Sequence, residues 1–280
     1  MQTLTALKAL HPEIRADFTI EQHWERYTQA EHGIWRTLYE RQMQILPGRA
    51  ADEFLDGLKK LKLVAERIPN FARLSDDLQR LTGWRIVAVP SLVPDEIFFD
   101  HLAHRRFPAG RFIRKPEQLD YIEEPDVFHD VFGHAPMLVH PVFADYMEAY
   151  GKGGMRALTE FHALKNLARL YWYTVEFGLI ETAKGLRIYG SGIVSSHAET
   201  LYALENPKPN RIRFELERVM RTEYRIDDFQ ESYFVIPSFD RLFDETYKDF
   251  AALYRTLQAG PTYRPGEVLA SDALAAPKAA

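Results

Sequence analysis

Apolar residues recur at helical spacing through the first third of the chain. Ile20, Trp24, Tyr27, Ile34 and Leu38 form one set, and Phe54, Leu58, Leu61 and Val64 repeat it within 51–66. Polar residues fill the positions between, so each stretch predicts a helix that buries one face. Thr19-Ile20-Glu21-Gln22 has the form of a capping box and predicts the start of the first helix. Ser75 is expected to cap a shorter helix that Gly83 ends. The period then changes. Arg85 to Val89 (RIVAV) is a short β-branched run that predicts a strand, and Pro94 opens a helical segment over PDEIFFDHLAHRRF.

From Pro141 to about Thr182 the pattern is helical again. The glycines of Gly151-Lys152-Gly153-Gly154 disfavour a continuous rod, so two helices are expected there. In GLRIYGSGIV (185–194), Gly190-Ser191-Gly192 separates two β-type runs and predicts a hairpin or tight loop. YFVI at 233–236 reads as extended, and the alanine-rich stretch after Pro265 has little to bury. With no repeats and no linker, the expected architecture is mainly α with minor β (α+β). It spans one catalytic-sized domain over 1–265, followed by a flexible tail over 266–280.

Composition narrows the function. At 46% hydrophobic residues in 280, the chain can bury a substantial core. The net charge of -5 comes from intermixed charges without a basic block, which argues against nucleic acid as a partner. There is no cysteine, so disulfides, thiolate metal sites and cysteine nucleophiles are excluded and any metal must be held by nitrogen and oxygen. No leader-like start and no long apolar run is visible, which points to a cytoplasmic protein with no membrane partner.

Two histidines, His129 and His134, bracket Gly133 in PDVFHDVFGHAP. On an ideal helix, positions five apart diverge by roughly 140°, so the pair converges only if the helix ends or unwinds, and Gly133 and Pro136 are expected to supply that break. A lone histidine pair is weak evidence for a metal. Glu176 in LYWYTVEFGLI strengthens it. Tyr171, Trp172, Tyr173, Val175, Phe177, Leu179 and Ile180 leave little of that segment polar, and a buried carboxylate needs a cation or a full set of hydrogen bonds. Two imidazoles and one carboxylate with open positions suit a non-haem iron(II) oxygenase, although zinc hydrolases use the same ligand types. No H-E-x-x-H is present, and no histidine follows residue 197 to complete an oxoglutarate-type H-x-E site at His197-Ala198-Glu199. A helical binding module with structural histidines is the non-enzymatic alternative.

EPDVFHDVFGHAPML, YWYTVEFGL and YGSGIVSSHAE, in this order and spacing, resemble the catalytic domain of the pterin-dependent aromatic amino acid hydroxylases, most of all its bacterial members. The likeness covers roughly residues 75 to 250. It implies His129, His134 and Glu176 as ligands of Fe(II), and tetrahydrobiopterin or a related tetrahydropterin as the second cofactor. It implies Arg114 as the clamp on the substrate carboxylate with Ser195 beside it, and Trp172 and Phe177 as walls of the ring pocket. Phe98 matches the aromatic on which the pterin ring stacks, and Val93, Asp95, Ala168 and Tyr171 match other positions around the pterin. Asp130 stands beside the first ligand where animal members carry glutamate, and Asp95 where they carry serine. Glu199 is expected to fix His129 or a neighbouring group.

Within the family, Trp172 and Val235 differ from the residues of the tryptophan and tyrosine hydroxylases, which leaves phenylalanine as substrate and tyrosine as product. That reaction, using O2, would be the first step of phenylalanine catabolism. Hydroxylation of another aromatic amino acid and a zinc-dependent hydrolase remain as alternatives. With only a short stretch after 265, a monomer is expected.

Overall fold

The structure is a computed structural model that describes residues 4–275. A short helix, α1 (Leu4–Leu10), leads into an irregular stretch that lies along the first strand, where Ile20 N–H donates to the Ala88 carbonyl at 2.9 Å. Thr19 therefore starts no helix. Its N–H and hydroxyl both donate to Asp17 Oδ1, and the Gln22 side chain is occupied with the backbone of Pro69 and Phe71. The capping box forms at Thr28 and Glu31 instead and opens α2 (Gln29–Ile45), which buries Trp35 and Leu38. In α3 (Asp52–Lys60) Phe54 and Leu58 are buried as expected, but the helix stops at Leu61. Lys62 takes a positive φ of 51°, and the reversed chain leaves Val64 exposed.

Asn70, rather than Ser75, caps α4 (Phe71–Thr82), through a bond from Arg73 N–H. Ser75 sits inside that helix and exchanges hydrogen bonds with the Ile86 backbone. Gly83 ends it as expected, with φ 79°. β1 (Arg85–Val89) and β2 (Arg106–Gly110) pair in parallel across α5 (Asp95–Ala103), the crossover a parallel pair requires.

The next helix, α6 (Pro141–Arg156), runs unbroken through its glycines. A Cβ at Gly151 would stand 2.3 Å from the Ala103 nitrogen, and one at Gly154 would stand 2.0 Å from the Phe99 ring. These glycines let α6 lie against α5, and that contact outweighs their low helix propensity. The break falls later, at His162 with φ 50°, before α7 (Leu164–Tyr171).

β3 (Leu179–Thr182) and β4 (Gly185–Ile188) form a hairpin that turns at Ala183-Lys184. The expected loop at Gly190–Gly192 is instead the entry to α8 (Ser191–Val194), followed by α9 (His197–Glu205). β5 (Asn210–Arg213), α10 (Leu216–Arg221) and β6 (Ser232–Ile236) complete a sheet of order β4-β3-β6-β5. The helices α11 (Phe239–Thr246) and α12 (Ala251–Ala259) end the regular structure. The result is a mainly helical α+β fold.

Residues 266–275 differ from the frayed tail expected of them. Arg218, buried under Phe234 and Tyr263, bonds Asp272 through Nε at 2.9 Å, and Ala275 N–H donates to Arg211 O at 2.7 Å. A buried guanidinium must find a counter-charge, and this segment supplies it. Residues 276–280 of the expected tail lie outside the described residues. No helix among the described residues is long and apolar enough to cross a membrane.

Candidate active site

Phe128–His134 forms a π-helical turn, and Trp172–Glu176 forms another. In a π-turn each backbone bond spans five residues, so residues five apart lie one above the other. His129 and His134 therefore converge because the helix widens, not because Gly133 and Pro136 break it. Their Nε2 atoms are 3.3 Å apart. Gly133 serves packing instead. A Cβ there would stand 2.9 Å from the Ser191 carbonyl, so glycine lets this turn lie on α8.

Glu176 closes the triangle. Its Oε1 is 3.2 Å from His134 Nε2, and its Oε2 is 3.5 Å from His129 Nε2. Ser191, which the sequence pattern did not single out, donates to Glu176 Oε2 at 2.8 Å and so orients the carboxylate. Burial disfavours ionising Glu176, but the facing imidazoles of His134 and His129 and the Ser191 hydroxyl outweigh it and hold the group below the usual carboxylate range.

The tautomer of His129 follows from its other nitrogen. Ser195 Oγ–H donates to Ser191 O at 2.7 Å, so its oxygen is left to accept from His129 Nδ1–H at 3.0 Å. Nε2 then carries the lone pair. Burial pushes the His129 pKa down to about 4, which keeps the ring neutral. Glu199 does not reach His129. Its Oε1 accepts from the Tyr233 hydroxyl and from Gln230 N–H at 3.3 Å.

Three donor atoms from His129, His134 and Glu176 lie within 4.8 Å of one another. Ligands held about 2 Å from one ion at right angles stand about 3 Å apart, which is the spacing found here. Three ligand atoms that converge on one point at this spacing suit a divalent cation. The set suits a metal that takes nitrogen and oxygen and keeps open positions.

One side of this cluster opens into a cavity of about 580 Å³ whose lining includes His129, Glu176, Arg114, Trp172, Phe177 and Ser195. Arg114 is buried and forked onto Asp126, with Nε to Oδ2 at 2.8 Å and Nη2 to Oδ1 at 2.9 Å. Asp126 also accepts from His129 N–H at 3.1 Å, so one carboxylate fixes both the arginine and the start of the π-turn. Sequence reading missed it, although an aspartate three residues before a histidine at a helix start has the form of a cap. Nη1 of Arg114 has no hydrogen bond among the described residues. Trp172 stacks on Tyr224 at 4.3 Å, lies 4.7 Å from the Phe177 ring and donates its indole N–H to Gln230 Oε1 at 2.9 Å.

The remaining candidates lie on another side and do not line this cavity. Phe98 and Tyr171 meet edge to face at 5.7 Å, and Tyr171 lies 6.4 Å from His134. Val93 is buried, Ala168 is half-buried and Asp95 is exposed. Asp130 accepts from Gly110 N–H at 2.7 Å through Oδ2, and burial pushes its pKa up to about 7.

The family model of the biopterin-dependent aromatic amino acid hydroxylases matches residues 12–261. Phenylalanine-4-hydroxylase of Caulobacter vibrioides is 62% identical over 263 residues, covering 94% of this chain and 89% of that protein. The enzyme of the same name from Chromobacterium violaceum is 56% identical over 256 residues, covering 91% of this chain and 86% of that one. The structure of phenylalanine hydroxylase from Chromobacterium violaceum with iron and phenylalanine bound superposes with a TM-score of 0.91 at 52% identity, covering 98% of this chain and 100% of that one. Sequence, fold and the geometry of the clustered donors agree: this chain belongs to the biopterin-dependent aromatic amino acid hydroxylases.

Proposed function

We propose that this protein is a phenylalanine 4-monooxygenase, which converts L-phenylalanine to L-tyrosine with O2, a tetrahydropterin and iron(II). The observation that carries the proposal is the triangle of His129, His134 and Glu176, with spacings of 3.2 to 3.5 Å, set in the wall of a cavity that has an arginine and aromatic side chains around it. Iron and phenylalanine are bound in the similar Chromobacterium violaceum structure, which supports both assignments. Bound iron(II) and reduced pterin supply the activation of oxygen that an unactivated aromatic carbon requires.

The chain's own residues bind and orient. Arg114, held rigid by Asp126, presents its free Nη1 edge to the substrate carboxylate, and Ser195 stands in the same wall. Trp172 and Phe177 confine the ring against the metal face. Phe98, with Tyr171 packed against its edge, offers a face for the pterin, flanked by Val93, Asp95 and Ala168. Asp130 serves that side from behind, since one of its oxygens is held by Gly110. Choice of phenylalanine rests on Trp172 in the ring wall and on Val235, buried in β6. A zinc hydrolase is not favoured, because the whole match lies with oxygenases. As part of the same proposal the enzyme is a cytoplasmic monomer.

Incubation of the purified protein with phenylalanine, iron(II) and tetrahydropterin in air should yield tyrosine with matching pterin oxidation, measured by chromatography. Iron-loaded protein that forms no tyrosine under these conditions would refute the assignment.

A further inference from the structure

Among the described residues the cavity wall holds one further buried carboxylate, which neither the metal triangle nor the arginine clamp uses. Glu199 is 6% exposed and lines the same cavity as Arg114, Trp172 and Phe177. Both protein donors that reach it, the Tyr233 hydroxyl and the Gln230 N–H, end on Oε1. Oε2 has no donor among the described residues. A carboxylate this deep in a protein, with one oxygen unsatisfied, needs a cation or further hydrogen bonds to be stable in its charged form.

The other acidic residues of the wall do not share this property. Asp120, Glu123, Asp227 and Asp228 are exposed; Arg41 pairs with Asp120, and Arg225 with Asp227 and Asp228. Glu176 belongs to the donor cluster. An α-amino acid brings a carboxylate and an ammonium into the cavity together, and both lose water on entry. Arg114 answers the first charge. We infer that Glu199 Oε2 accepts the α-ammonium group of the substrate, so that the cavity recognises a zwitterion rather than any arylpropanoate.

The supporting contacts fit this role. Gln230 holds Glu199 with its backbone N–H and holds the Trp172 indole with its side-chain Oε1. One residue therefore ties the ammonium acceptor to the ring wall. Tyr233 and Gln230 hold Oε1, and Oε2 is the oxygen left for a ligand in the cavity that Glu199 lines. Burial pushes the Glu199 pKa up to about 7, a cost that an incoming ammonium would relieve.

The inference rests on phenylalanine as ligand, and the experiment separates it from the proposed reaction. Binding of L-phenylalanine and of 3-phenylpropanoate, which has the same ring and carboxylate but no ammonium, is measured by calorimetry on the iron-loaded protein without pterin. Wild type should prefer phenylalanine. In Glu199→Gln that preference should fall by about tenfold or more, the worth of a charge-assisted bond, while 3-phenylpropanoate affinity stays within about twofold. Glu199→Asp, which keeps the charge, should retain part of the preference. Equal loss for both ligands in Glu199→Gln would show a merely structural role and overturn the inference, as would an unchanged preference. Tyrosine formation by wild type is scored separately, so a failed reaction assignment and a failed ammonium assignment are told apart.

Discussion

Two buried polar clusters in this molecule follow opposite rules. Arg218 and Asp272 are almost wholly buried and complete each other: Nε and Nη2 of the arginine bond both carboxylate oxygens, and Thr222 Oγ1 and the Glu267 carbonyl take what remains of the fork. His129, His134 and Glu176 are clustered as tightly, yet their ligand atoms converge on one point. The first cluster is a finished structure that anchors a chain segment. The second has the spacing of a set of metal ligands. Groups that complete one another signal architecture, and ligand atoms that converge on one point signal a ligand.

The largest effect should come from the unfinished cluster. His134→Ala and Glu176→Ala should lower tyrosine formation by about a thousandfold or more. Iron(II) should raise the melting temperature of wild type through its binding energy and leave that of the variants unmoved. Circular dichroism and metal analysis separate lost iron from lost fold. Variants that keep stoichiometric iron and normal turnover would remove the distinction between the clusters.

The finished cluster should behave in the reverse manner. Asp272→Ala leaves Arg218 buried without a counter-charge and should cost about 3 to 5 kcal/mol of stability, read by chemical denaturation, with little change in iron affinity. A loss below about 1 kcal/mol would mean that the pair is dispensable and the segment 266–275 is held by its backbone bonds alone.

Glu199 lies between the two classes, half satisfied, and its effect should be smaller and pH-dependent. Its folded pKa of about 7 lies above the ordinary 4.5 because burial penalises the charge. The folded protein therefore holds this proton more tightly than the unfolded chain. Stability falls as pH rises from about 4.5 to about 7, and no further above that. Glu199→Gln mimics the protonated form, so it should match wild type at pH 4 and exceed it by up to about 3 kcal/mol at pH 8. A stability difference independent of pH would rule out burial of an ionisable carboxylate as the cause.

Much of the fold was legible in the pattern of apolar residues. The strand at Arg85–Val89, the helix after Pro94, the Gly83 stop and the strand around 233–236 follow from period and punctuation alone. The misread places share one cause, which is a distant partner. Gly151 and Gly154 look like a break until α5 lies across them, and Thr19 looks like a cap until β1 draws the following residue, Ile20, onto Ala88. Gly190-Ser191-Gly192 looks like a turn, but a Cβ at Gly190 would stand 2.5 Å from the Glu176 carbonyl, so glycine there serves the approach of the second π-turn.

By itself, the sequence determined which chemistry was available: nitrogen and oxygen donors without thiols, an apolar setting for Glu176, and three motifs in an order that marks a family. Only the tertiary structure decided how those donors meet, because His129, His134 and Glu176 converge through two π-turns that both pack against the start of α8. It also decided that Asp126 fixes Arg114, that Ser195 sets the His129 tautomer and that Glu199 faces the cavity. The physical reason is range. Period and propensity are set by neighbours a few residues away, whereas a buried charge takes its state from whatever the fold brings within hydrogen-bonding distance.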